Sequence, residues 1–203
     1  MITGENGVID HWMKLGVSGW RLDVADELPD EFIADIRKRV KTCADDGLVI
    51  GEVWEDASNK ISYGVQRRYF QGRELDCTMH YPFRAGAVDF LLGKCSARDF
   101  AEAMEVLREH YPAYAIQGAF NIIGTHDSVR VLTALAGQIP DQAADREQLA
   151  KLHMSEEEIQ LGLRRLKIIV LLQMTLPGVP CIYYGDEAGM EGYKDPFNRR
   201  TYP

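Results

Sequence analysis

Val17-Ser18-Gly19-Trp20-Arg21-Leu22-Asp23-Val24 reads as a short strand in which two charged residues sit on one face of an otherwise apolar segment. Side chains alternate along a strand, so Arg21 and Asp23 share one side while Trp20, Leu22 and Val24 share the other. Upstream, Val8, Ile9, Trp12, Met13 and Leu15 recur at helical spacing and run into Gly16, a helix stop. Downstream, Pro29 opens a helix whose Phe32, Ile33, Ile36 and Val40 make one apolar stripe. A helix, a strand and another helix thus set the rhythm of the chain.

The same rhythm continues to the end. Residues 48–53 and 75–79 read as second and third strands, 83–92 and 97–110 as helices, and 120–125 as a fourth strand. A helix begins at Ser128, a polar stretch from Gln138 to His153 reads as a solvated insertion, and Ser155 with Glu158 is spaced as a capping box opening a long helix to about Thr175. Residues 179–184, bounded by Pro177-Gly178 and Gly185, read as a fifth strand. Strands separated by helices, without hairpin signals, imply parallel pairing through right-handed crossovers, an α/β fold. A doubly wound sheet and a barrel both obey that pattern.

Composition excludes some classes of function. The 203 residues are 46% hydrophobic, enough to bury a core as one compact unit, and the formal net charge of −8 repels phosphate backbones and anionic lipid, so neither nucleic acid nor membrane is an expected partner. Cys43, Cys77, Cys95 and Cys181 are scattered without metal-ligand or redox spacing and read as buried free thiols; no metal and no cofactor is expected. No signal-like segment opens the sequence, and the apolar run 168–172 is too short to span a bilayer. The expected location is cytoplasmic, unless a leader belongs to sequence upstream of Met1.

The polar residues that matter lie where strands end. Asp23, Glu52 and Asp127 close three of the predicted strands at their C-terminal edge, where parallel α/β folds place their chemistry. Singly, each has a plain structural reading. Asp23 could simply pair with Arg21, Asp127 or Ser128 could cap a helix, and Glu52 could be a solvated loop residue. Together they suit one reaction. Adjacent strands lie about 4.8 Å apart, so carboxylates at neighbouring strand ends can fall about 5–5.5 Å apart, the separation used by retaining glycosidases. Arg21 would keep Asp23 ionised as a nucleophile, while Glu52, flanked by Val53 and Trp54, would be desolvated as the acid.

Gly19-Trp20-Arg21-Leu22-Asp23-Val24-Ala25-Asp26-Glu27, Gly51-Glu52-Val53-Trp54 and Gly124-Thr125-His126-Asp127 with Arg130 resemble, in order and spacing, three signature segments of the α-amylase superfamily of glycoside hydrolases (the family 13 type). Residues 178–187 resemble the segment around its last barrel strand. Met79-His80-Tyr81-Pro82-Phe83, and Asp195-Pro196 with Arg199, resemble the neopullulanase, cyclomaltodextrinase and maltogenic amylase branch, although that branch more often has Asn where His80 stands. The resemblance implies a partial TIM (β/α)8 barrel, strands four to eight, with residues 1–203 as the C-terminal part of a catalytic barrel.

It also implies roles. Asp23 would be the nucleophile, Glu52 the general acid/base and Asp127 the residue holding sugar hydroxyls, with Arg21 positioning Asp23, His126 contacting sugar, and Trp54 either stacking on a glucose ring or packing against strand ends. Asp195 and Arg199 would be donor-side sugar contacts or a surface ion pair. The implied partner is an α-glucan oligosaccharide or polysaccharide, such as starch-like glucan, maltodextrin or cyclodextrin. Glucan transfer by the same fold, and a catalytically silent carbohydrate-binding or scaffold homologue, are the alternative functions. Five strands cannot close an eight-stranded barrel, so edge-paired dimers or other homo-oligomers, and weak or absent hydrolysis by the 203 residues alone, are expected.

Overall fold

The computed structural model describes residues 1–137 and 145–203. In chain order the elements are α1 (Val8–Lys14), β1 (Gly19–Leu22), α2 (Asp30–Cys43), β2 (Leu48–Gly51), β3 (Ile61–Ser62), β4 (Val65–Gln66), β5 (Cys77–Thr78), α3 (Tyr81–Leu91), α4 (Ala97–His110), α5 (Ala113–Gly118), β6 (Phe120–Ile122), α6 (Val131–Ala136), α7 (Arg146–Lys151), α8 (Glu156–Thr175) and β7 (Val179–Cys181). Short 3-10 turns lie at Ala25–Glu27 and Phe197–Arg199. The chain divides into two compact units, one of residues 1–82 and 104–120, the other of residues 83–103 and 121–203.

In the first unit β1, β2 and β5 form a parallel sheet in that order, with Gly19 to Leu22 in register with Leu48 to Gly51, and Ile50 and Gly51 with Cys77 and Thr78. A parallel bridge joins Met79 to Phe120. The predicted stripe of α2 is its buried face: Ile33, Ile36 and Val40 pack with Ile9, Leu22, Val49, Val53, Leu75 and Tyr111. Gly51 is needed where it stands, because a Cβ there would run into the Leu75 side chain. The ladder of each strand is shorter than predicted, for local reasons. β1 stops at Leu22 because Val24 turns into the left-handed region, at φ 41°, and opens the 3-10 turn. Glu52, just past β2, still pairs across through its backbone, donating to Leu22 O (3.0 Å) and accepting from Ala25 N–H (3.1 Å).

The absence of hairpins predicted from sequence is incorrect. β3 and β4 form an antiparallel hairpin closed by Tyr63 and Gly64, both at positive φ. Such two-residue turns match strand twist. Just beyond it the buried Arg67 guanidinium donates to three main-chain carbonyls, Ala25 (3.3 Å), Asp26 (2.7 Å) and Leu28 (2.6 Å), and pairs with Asp30, locking the turn that follows Asp23.

In the second unit β6 pairs with β7. Gln173 of α8 is buried between them and donates to Asn121 O (2.7 Å) and Cys181 O (3.0 Å). α6 packs on α8 through Leu132 and Ala136 against Ile159, Leu163 and Leu166. The predicted capping box is present: Ser155 and Glu158 exchange bonds at the start of α8. The predicted solvated insertion needs correction in part. Residues 138–144 lie outside the described residues, while Arg146–Lys151 is a helix with its own capping box, Asp145 with Gln148. The helix expected from Ser128 begins at Val131, since residues 125–128 are held in a turn by the Ser128 hydroxyl. On the far side of α8, Ile168, Leu171 and Met174 are exposed, as are Val179 and Ile182.

Candidate active site

The in-register pairing of β1 with β2 delivers Asp23 and Glu52 to the same edge, one residue beyond each strand. Arg21 joins them. Its guanidinium pairs with Asp23 and, through its other terminal nitrogen, with Glu52 Oε2 at 2.8 Å. The two carboxylates otherwise differ. The Asp23 side chain is 74% exposed, whereas Glu52 is 4% exposed. Glu52 is surrounded by donors: Val24 N–H at 2.9 Å, Trp54 Nε1–H at 3.2 Å and the Tyr81 hydroxyl at 3.4 Å. Sequence reasoning gave Arg21 to Asp23 alone; the structure shows it serving both.

Trp54 stacks face to face on Tyr81, with ring centroids 4.2 Å apart and planes at 14°, and its other face leaves it half exposed. Both readings of Trp54 are therefore compatible with its setting, since it packs at the strand end and presents an aromatic surface. The approach of Tyr81 to Trp54 and Glu52 has no signature in spacing, because Tyr81 opens α3 while the other two follow β2.

In the second unit Asp127 follows β6 on an irregular turn. Arg84 of α3 pins that turn's approaches, donating to Ile123 O (3.0 Å) and Val129 O (3.1 Å). Gly124 admits the buried carboxylate of Asp186, which a Cβ would displace. His126 Nε2 lies 3.0 Å from Asp127 Oδ2, and Arg199 reaches Asp127 Oδ1 at 3.3 Å while pairing with Asp195 at 2.6 Å. The ion pair foreseen for Asp195 and Arg199 thus forms, and it extends to Asp127. Arg130 is fully buried between the rings of Tyr183 and Tyr184, 4.2 and 4.6 Å from their centroids, and bonds Asp186 at 3.1 Å. Burial pushes the Asp186 carboxyl up to about 6 although Arg130 pulls the other way. Among the described residues no group of three or more His, Cys, Asp or Glu side chains could hold a metal ion, and no helix is long and apolar enough to cross a membrane.

The pattern that describes "Alpha amylase, catalytic domain" matches residues 3–201. The chain belongs to the α-amylase family. It is 36% identical to neopullulanase 2 of Thermoactinomyces vulgaris over 93% of its own length and 27% of that protein's, and 32% identical to the cyclomaltodextrinase of Geobacillus thermopakistaniensis over 95% of its own and 28% of that protein's. The cyclic α-maltosyl-(1→6)-maltose hydrolase of Arthrobacter globiformis, solved with maltose, superposes on it with a TM-score of 0.76 at 29% identity, covering 97% of this chain and 38% of the other. The chain therefore spans less than a third of the length of these two curated relatives. As a member of the α-amylase family its fold is part of a TIM barrel.

Proposed function

We propose that the protein cleaves α-glucosidic bonds in starch-like glucans, maltodextrins or cyclodextrins with retention of configuration. One observation carries this reading: a single guanidinium, that of Arg21, holds the carboxylates of Asp23 and Glu52 at the ends of neighbouring in-register parallel strands. With Glu52 protonated in the substrate complex, Asp23 attacks the anomeric carbon while Glu52 gives its proton to the departing glycosidic oxygen, leaving a glycosyl ester on Asp23 and a carboxylate at Glu52. Glu52 then takes a proton from water, whose oxygen displaces Asp23. Asp127, with His126, holds sugar hydroxyls as charge develops on the ring, and Asp195 with Arg199 contacts the donor side. Trp54 offers its exposed face to a glucose ring. The relatives' names and the maltose-bound neighbour support a glucan as the substrate.

The test is a mechanism-based label. A 5-fluoroglucosyl fluoride should leave its sugar on the peptide bearing Asp23, and proton NMR of early product should show the α-anomer. Label on another residue, or the β-anomer first, would overturn the assignment. By this reading the 203 residues alone turn over glucan weakly. They also associate, since β1 has β2 on one side and no strand on the other among the described residues. Light scattering that shows only monomer at high concentration would remove the second expectation.

A further inference from the structure

The turn from Thr125 to Ser128 leaves the carbonyls of His126 and Ser128 outside any ladder, one on each side of Asp127. Both accept from one side-chain amide, that of Asn198, at 2.7 and 2.8 Å. Asn198 is 0% exposed, lies in the 3-10 turn Phe197–Arg199, and is itself fixed: the Tyr183 hydroxyl donates to its carbonyl at 3.4 Å, and Gly192 passes so close that a Cβ would stand 3.0 Å from Asn198 Cα. Its own Oδ1 is buried and has no partner among the described residues. An orphaned buried acceptor costs about 1–3 kcal/mol, so this amide is not placed as a generic core filler. Its neighbour repeats the grip, with Arg199 Nε–H donating to His126 O at 3.0 Å.

The two N–H groups of an amide stand at a fixed angle in one plane. When both engage the carbonyls of residues 126 and 128, they set the separation of those carbonyls and hence restrict the backbone angles of the two residues between the peptide units, Asp127 and Ser128. We propose that Asn198 is a positioning residue that aims the Asp127 carboxylate by clamping the main chain on either side of it. Asn198 touches no substrate, and the proposal rests on the reading of Asp127 as a sugar-holding carboxylate.

Hydrogen exchange on this chain and maltodextrin kinetics on a hydrolytically active protein that carries it test the two separately. Asn198→Ala should speed exchange of amides in residues 125–130 by at least about tenfold, with α8 unchanged. It should lower kcat by about 10–100-fold while KM moves less than about threefold, as expected for a group displaced rather than removed. Added to Asp127→Asn it should cost less than about a further threefold. Asn198→Ser, which keeps one of the two bonds, should fall between wild type and Asn198→Ala, and it stands in if the alanine variant does not fold. Unchanged exchange at residues 125–130, or a kcat loss that multiplies in full on Asp127→Asn, would overturn the clamp. Full activity in Asp127→Asn would instead overturn the reading of Asp127 and leave the exchange result to decide the clamp.

Discussion

Glu52 and Asp127 are both acids just past a parallel strand, yet they are held by opposite means. Glu52 is buried, and its donors come from the ladder and its immediate flanks: Arg21 and Val24 from the neighbouring strand end, Trp54 two residues on, Tyr81 at the start of α3. Asp127 is exposed. Its partners are His126 beside it and Arg199, 72 residues later, and the turn beneath it is clamped by Asn198 from that same late segment. The first acid is placed by sheet pairing, the second by a tail that folds back.

This contrast can be broken or sharpened by substitution. The largest effect is expected at the exposed partner of Glu52. Asp23→Asn should cut maltodextrin turnover by about 10⁴-fold or more, as removal of a nucleophile does, and abolish labelling by the fluorosugar; steady-state rates and peptide mapping check this. Next, Arg21→Met takes the charged partner from a buried carboxylate that keeps only neutral donors. It should cost about 3 kcal/mol in urea unfolding. Arg199→Met, the equivalent change at Asp127, removes a partner from an exposed pair and should cost less than about 1 kcal/mol. Equal losses at the two sites would erase the distinction.

Each region also holds a buried acid outside the proposed chemistry. Burial raises Glu74 from its ordinary value of 4.5 to about 7, and Asp186 from 3.8 to about 6, the latter with Arg130 opposing the shift. A carboxyl whose folded value is raised contributes stability that is complete below its unfolded value and lost as pH climbs through the folded one. The window for Glu74 is therefore 4.5 to about 7, and for Asp186 it is 3.8 to about 6. Glu74→Gln should raise the urea midpoint at about pH 8 and leave it nearly unchanged at about pH 4. A midpoint gain at both would show that the carboxyl's charge is not the cause.

Much of the first region was legible because its information is local. The stripe of α2, the strand around Arg21 and the acid after Gly51 all follow from spacing within a few residues. The hairpin at Tyr63-Gly64 was missed because its strands are two residues each, too short for alternation to register. In the second region the signal reached Asp127, Asp195 and Arg199 but not what supports them. Nothing near Asn198 marks it as the support for residues 126–128, since the contact joins positions about 70 apart and an asparagine beside Arg199 reads as an ordinary surface turn. The polar run 145–151 misled in the other direction: its capping box, Asp145 with Gln148, is as well formed as that of α8, but only Leu149 is buried there, so hydrophobic periodicity gave no trace.

The lock that Arg67 places on residues 25–28 bears on the order of events during synthesis. The turn leaves the ribosome about 40 residues before its lock. At about 5–20 residues per second that is a wait of roughly 2–8 s. For that interval the three carbonyls of the turn lack the guanidinium that ties them together, and only the Leu28 N–H to Ala25 O bond within the turn can form at once. The segment carrying Asp23 is made early and set late, so a nascent chain stalled between residues 30 and 67 would present the strand without the geometry that gives its carboxylates a use.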